Sequence, residues 1–459
     1  MKSSDVYRAI GEVEDSILEP QAKKSARRKG IKYFPKKLRV LTAACLAIVL
    51  VWVAVFSPIF NHYKGVVYAK SLMKGIKANE VTGKEEDQRF NEALSEYSIN
   101  LLKNSMKLKD SHINRLVSPY SLLLALAMTA NGADGDTQAQ MQKIMGDIPL
   151  TELNEYLYSF NKKLTDTKSL TLANSIWYND DQNRLQVKAP FLQTNADYYG
   201  ADAYSAPFDG NTLKDMNAWV KKNTDGNIDK ILDRIPEDAV MYLINTLLFD
   251  AKWETTYKKK DVDDCEFTNY AGDKYQVPMM YGAAHQLLSG DNVKGFLKDY
   301  EDNQFSFVAL LPKEGMSVDD YIETLTGKEW SRLMKSKREE SAETGIPKFK
   351  YQDSLALNDA LKSMGMTDAF DPEKANFESM ATSLLPLGNI YISKALQNTF
   401  IEVAEKGTKA GAASSIQKGD TTAALPQNEI ILDRPFVYAI IDKSTGVPIF
   451  MGVVKDIQD

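Results

Sequence analysis

An α+β fold in one continuous domain is what this chain predicts, and three observations carry that prediction. Apolar residues at helical spacing crowd the stretch from 88 to 225, apolar runs of strand character dominate from 239 to 454, and no internal repeat or low-complexity segment interrupts them. Helices gathered early and strands late are the pattern of segregated elements rather than of alternating strand–helix units. The chain has 459 residues, 44% hydrophobic and 26% charged, ordinary globular composition with enough apolar side chains for a large core.

The amino-terminal region stands apart. Lys23, Lys24, Arg27, Arg28, Lys29, Lys32, Lys36, Lys37 and Arg39 precede an uncharged apolar run from Val40 to Phe56, extended past Pro58 by Ile59 and Phe60. Basic residues before an apolar run of spanning length predict a membrane anchor with its amino terminus in the cytoplasm and the remainder outside. The organisation expected is a cytoplasmic tail over 1–39, an anchor over 40–60, a polar stalk over 61–87 and a globular domain over 88–459. A cleaved signal peptide is the alternative, because Val67-Tyr68-Ala69 has the small-residue spacing a signal peptidase reads. Two cysteines, Cys45 and Cys265, encode no disulfide framework, and an anchored external domain without one suggests a bacterial surface protein.

Within the domain, Phe90, Leu94, Tyr97, Leu101 and Leu102 share one helical face. Ser118 is placed as an N-cap with Pro119 at the first helical position, opening a buried helix that Asn131-Gly132 ends. Asp136 is expected to cap the next helix, Gln138 to Ile144. Leu170, Leu172 and Ile176 alternate in a strand that also carries Asn174, and Leu213, Met216, Trp219 and Val220 mark an amphipathic helix. Ala239 to Trp253 is apolar on both faces, the signature of a strand covered above and below. Gly295 to Tyr300 and Phe305 to Leu311 read as a hairpin, Gly345 to Tyr351 as a strand before a helix at Leu355–Met364, and Ile390 to Val403 as a further strand. Ile430 to Ile441 and Val447 to Val454 form a closing hairpin.

Between the last two of these units lies a long segment of small residues, Glu405 through Ser415 and onward to Ile430. Loops of that length seldom occur without a function. Enzyme chemistry has little to build on. The three histidines, His62, His112 and His285, are far apart in sequence and sit in polar stretches, no glycine loop of nucleotide-binding pattern occurs, and Asp134-Gly135-Asp136 lacks the further ligands of a calcium loop. No cofactor or metal is called for. A net charge of -6 offers no broad basic face for nucleic acid.

Several stretches together resemble the serpins: Glu405-Lys406-Gly407-Thr408, Leu432-Asp433-Arg434-Pro435-Phe436-Val437-Tyr438 and Gly446 through Val454. Ser118-Pro119-Tyr120-Ser121, Leu172-Ala173-Asn174, Asn245 through Trp253, Val277-Pro278-Met279-Met280 and Pro347-Lys348-Phe349 extend the likeness in collinear order over about residues 88 to 457. The resemblance implies three sheets, about nine helices and an exposed reactive loop that, once a target protease acylates it, inserts as a new strand into the largest sheet and distorts the trapped enzyme. The partner implied is a serine protease held in a covalent acyl complex, and the protein is expected to be a monomer with no turnover of its own.

If Thr408 to Ile416 becomes a strand, Thr408, Ala410, Ala412, Ser414 and Ile416 face one side, and all are small or apolar. The hinge candidates are Glu405, Gly407, Thr408, Ala410, Ala412 and Ala413. Family spacing from Glu405 puts the residue entering the protease's primary pocket at Thr421, and spacing from Pro435 puts it at Ala424. Thr421, Thr422, Ala423 and Ala424 stay open as the reactive bond. All four are small and uncharged, which favours elastase-like or subtilisin-like targets. Ser118, Ser121, Asn174 and Asn245 are expected to control sheet opening, with Trp253 at the top of the sheet. Gln397 stands where the family commonly has a histidine, so hydrogen bonding is retained there and titration near neutral pH is not. The runner-up function is a non-inhibitory member acting as a membrane-linked cleavage sensor or scaffold.

Overall fold

The apolar runs become the inner strands of three sheets, and the amphipathic segments become helices laid against them. The computed structural model describes residues 65–108, 113–180, 185–383, 389–408 and 429–458. The tail, the apolar run 40–60 and residues 409–428 lie outside the described residues. Among those described, no helix is long and apolar enough to cross a membrane.

The described helices are α1 (Gln88–Met106), α2 (Pro119–Ala130), α3 (Gly135–Ile144), α4 (Leu150–Thr165), α5 (Ala189–Tyr199), α6 (Gly210–Asn223), α7 (Val318–Thr324), α8 (Gly327–Lys335) and α9 (Asn358–Met364). The largest sheet contains β1 (Lys70–Ser71), β3 (Leu170–Asn179), β5 (Asp202–Ala206), β6 (Met241–Phe249), β7 (Ala251–Lys252), β14 (Phe349–Ala356), β16 (Lys394–Ala404) and β17 (Gly407–Thr408). Its order is β1-β5-β3-β6-β16-β17-β7, with β14 on the other edge of β16. A second sheet runs β10 (Gln286–Gly290), β11 (Val293–Asp299), β12 (Phe305–Pro312), β19 (Phe436–Asp442), β20 (Pro448–Val454), β2 (Arg115–Val117). The third is β18 (Glu429–Ile431), β13 (Ala342–Pro347), β9 (Lys274–Ala284), β8 (Val262–Thr268), and β4 (Leu185–Val187) pairs β15 (Ala381–Ser383) separately.

Two clusters of buried side chains fill the domain. The main one includes Phe90, Leu94, Tyr97, Leu101 and Leu102 of α1, the helical face read from the sequence. A smaller one lies beneath α6, where Met216, Trp219 and Val220 pack with Trp177 of β3, Ile244 of β6 and Leu396 of β16.

The seam between β6 and β16 positions the site described below. The two strands run parallel and pair over five positions, from Lys394 opposite Tyr242 to Asn398 opposite Thr246. Beyond that ladder β6 and β16 are unpaired with each other, and β17 and β7 occupy the top of the sheet instead.

Four expectations are corrected. The stalk over 61–87 is not a free spacer from residue 65 onward: β1 pairs Lys70 with Ser205 and Ser71 with Tyr204, and Lys84 forms an ion pair with Glu152. Helix α3 begins at Gly135, with Asp134 rather than Asp136 at its N-cap position, and Asp136 lies within the first turn, where a negative charge suits the positive end of the helix dipole. The strand expected at Gly345–Tyr351 is two strands in different sheets, divided at Lys348. Finally, Ile430 to Ile441 is two strands in different sheets, β18 ending at Ile431 and β19 starting at Phe436, just after Pro435, which has no N–H to give a ladder.

Candidate functional site

Two groups of side chains lie along the seam, one halfway up the large sheet and one at its top. The lower group starts from the helix signal read at Ser118. The Ser118 hydroxyl accepts from the Ser121 N–H at 3.4 Å as the N-cap of α2 and donates to the Ile449 carbonyl at 3.0 Å, so the start of α2 is fixed against β20. Gln397 of β16 then mates with the Ser118 backbone through both halves of its amide, its Oε1 accepting the Ser118 N–H at 2.9 Å and its Nε2 donating to the Ser118 carbonyl at 2.8 Å. The same Nε2 lies 3.5 Å from Asn245 Oδ1.

Register completes the row. Asn174 of β3 stands opposite Asn245 of β6, and Asn245 opposite Gln397, so three amides cross the sheet at one level. All are buried, as are Ser118 and Ser121. Among the described residues, Asn174 Oδ1 and Ser121 Oγ have no hydrogen-bond partner. Buried polar atoms left in that state hold the closed seam less tightly than a satisfied set would.

At the top, Trp253 grips the chain just before the long loop. Its N–H donates to the Lys406 carbonyl and its indole Nε1 to the Ala404 carbonyl, both at 2.9 Å, and the Tyr257 N–H donates to the Glu405 carbonyl at 2.9 Å. Three successive carbonyls are therefore held by one short segment. Trp253 stacks on Tyr300 with centroids 4.6 Å apart, and the Tyr300 hydroxyl shares a 2.6 Å hydrogen bond with Thr408 Oγ1. Burial alone would raise the Glu405 carboxyl. The Lys348 ammonium, 2.8 Å away, outweighs that with help from Lys406 and holds it below the usual range.

Gly407 and Thr408 are already a strand. They pair antiparallel with Ala404 and Val403 of β16 on one side and with Lys252 and Ala251 of β7 on the other, and Thr408 is 1% exposed. A Cβ at Gly407 would lie 2.0 Å from the Ala251 carbonyl oxygen, so only glycine fits there. The loop thus starts inside the sheet rather than beside it.

The described structure therefore brings Ser118, Ser121, Asn174, Asn245 and Gln397 to one level and Glu405, Gly407, Thr408 and Trp253 to another. Ala410, Ala412, Ala413, Thr421, Thr422, Ala423 and Ala424 lie outside the described residues. Tyr257, Tyr300 and Lys348 belong to the upper group, and the sequence reading gave them no role. Tyr300 could have been suspected as a lone aromatic at a hairpin turn, whereas Tyr257 sits in a run of exposed polar residues that carries no such signal.

Comparison with known proteins decides what this arrangement is. Residues 92–457 match the family described as "Serpin (serine protease inhibitor)". The chain is a serpin. Its fold superposes on the native state of the thermophilic serpin tengpin with a TM-score of 0.80, at 46% identity over 85% of this chain and 100% of that one. Against the latent state of tengpin the TM-score is 0.71, at 45% identity over 82% of this chain and 100% of the other. Human neuroserpin is 29% identical over 385 residues, covering 79% of this chain and 90% of its own. Leukocyte elastase inhibitor A of Mus musculus is 29% identical over 363 residues, covering 74% of this serpin and 92% of the relative.

Proposed function

We propose that this serpin is a suicide inhibitor of serine proteases: the target cuts its loop, remains attached as an acyl-enzyme, and is disabled when the loop inserts between β6 and β16. The observation that carries the reading is β17. Two residues of the loop already lie in the large sheet, and a five-position ladder with a partly unsatisfied amide row is what further insertion must part. Continuing the strand past Thr408 brings Ala410, Ala412 and Ser414 to the same face as Thr408, and none carries a charge that would resist burial. The small residues Thr421 to Ala424 support proteases with shallow primary pockets, of elastase or subtilisin type, and one of the relatives is by name an elastase inhibitor.

Incubation of the full-length chain with neutrophil elastase, subtilisin and trypsin, followed by denaturing electrophoresis and mass spectrometry, tests this. A heat-stable complex with one of the first two, and a released peptide starting within 422–425, is the expected outcome. Cleaved serpin without any complex across all three would favour the scaffold or sensor reading.

We propose also that the run 40–60 holds the serpin on the outer side of a membrane. Support comes from the nine basic residues ahead of an uncharged run. Protein recovered in the membrane fraction after alkaline washing, with its loop open to added protease on intact cells, is the expected result; release by the wash would contradict it.

A further inference from the structure

The segment from Gly65 to Leu72 is bound to the serpin domain in a way that a spacer would not be. Asp215 of α6, 2% exposed, accepts hydrogen bonds from three successive backbone N–H groups, those of Val67 at 2.8 Å, Tyr68 at 2.6 Å and Ala69 at 2.6 Å. Lys70 and Ser71 then pair with the edge of β5, and the Leu72 N–H donates to the Ala203 carbonyl at 2.8 Å. Val66 and Ala69 pack on the cluster beneath α6 that also contains Ile244 and Leu396, one from each strand of the seam. The Tyr68 side chain between them is 61% exposed, so the backbone and the two smaller side chains make the attachment.

We propose that the Ala69–Lys70 peptide bond stays intact in the functional protein, and that the segment Val67-Tyr68-Ala69, despite its resemblance to a leader-peptidase site, is retained as part of the folded domain. Hydrolysis there would add water across the bond, leaving a carboxylate on Ala69 and an ammonium on Lys70. The freed leader would take with it the three donors that satisfy Asp215, and one new ammonium cannot replace three aligned N–H groups. A buried carboxylate would then lack partners, which folded proteins avoid.

Amino-terminal sequencing and intact mass, measured on full-length chain expressed in a bacterial host with active signal peptidase and recovered from both membrane and soluble fractions, test this directly. Every folded molecule is expected to begin at or before Gly65. A folded population that begins at Lys70, or anywhere after Gly65, overturns the proposal. A second arm uses Asp215→Ala in the full chain, which is expected to lower the melting temperature by roughly 5 °C and to open the bonds around residues 66–70 to limited proteolysis. Unchanged melting and unchanged resistance would overturn it as well, and if the variant fails to fold, the amino-terminal mapping decides alone.

Discussion

Thr408 shows how much one side chain can decide. It is buried and bonded to Tyr300 at the start of the loop, so on the proposed mechanism a change there acts on the start of insertion. Thr408→Arg would put a charge into that site at a cost of several kcal/mol, and the variant is expected to be cut as a substrate with little complex on a denaturing gel. Undiminished trapping would show that the hinge does not enter the sheet by this route. Gly407→Ala meets two backbone neighbours, the Ala251 oxygen at 2.0 Å and Lys252 Cα at 2.7 Å, and overpacking of that kind costs about 1–3 kcal/mol; the denaturant midpoint is expected to fall. Lys298 offers a pH test. Its ammonium lies 4.4 Å from the centre of the Tyr257 ring and 5.5 Å from that of Trp253, and burial pushes it down to about 8, against the partial opposing effect of Glu254 and Asp299. The unfolded chain holds that proton up to about 10.4, so between the two values the unfolded state binds more protons and native stability rises with pH. The rise in denaturant midpoint from pH 7.5 to 9.5 is expected to shrink in Lys298→Met; an identical profile would mean that Lys298 contributes nothing to it.

Among the elements, the ladder between β6 and β16 is the part that the proposed insertion would part, and Gln397 ties β16 to the start of α2 beside it. Gln397→Ala would strand the Ser118 N–H in the core at about 1–3 kcal/mol and leave the Ser118 carbonyl with the Leu122 N–H alone. On warming, loss of inhibitory activity is expected to speed up by tenfold or more, and an unchanged rate would remove the amide row from the account. Elements whose logic is local were legible in the sequence: the Ser118 cap with Pro119, the apolar face of α1, and the strand carrying Asn174. What stayed hidden depends on partners far along the chain. Residues 65–87 are polar enough to pass for a stalk, and nothing near them in sequence indicates that Asp215 will take their N–H groups. The division at Lys348 was hidden for the same reason, since the Phe349–Ala356 strand is defined by pairing with β16 and the strand before it by pairing with β9. That Gly407 and Thr408 are already paired could not be read either, because the alternation of small residues is the same before and after insertion.

For the molecule as a whole, the proposed mechanism makes the closed sheet one of two arrangements open to the same chain. Tengpin has been seen in a native and a latent state, and this serpin superposes better on the native one. Its seam, paired over five positions below and holding only the first residues of the loop above, fits a native state kept from a more stable one by a barrier. The measurement that tests this most directly is thermal unfolding of the full-length chain before and after a single cut within residues 409–428. If the freed loop completes the sheet, the cut protein melts at least ~10 °C higher than the intact one. Melting at the same or a lower temperature after the cut would mean that the loop does not insert, and the trapping mechanism would fall with it.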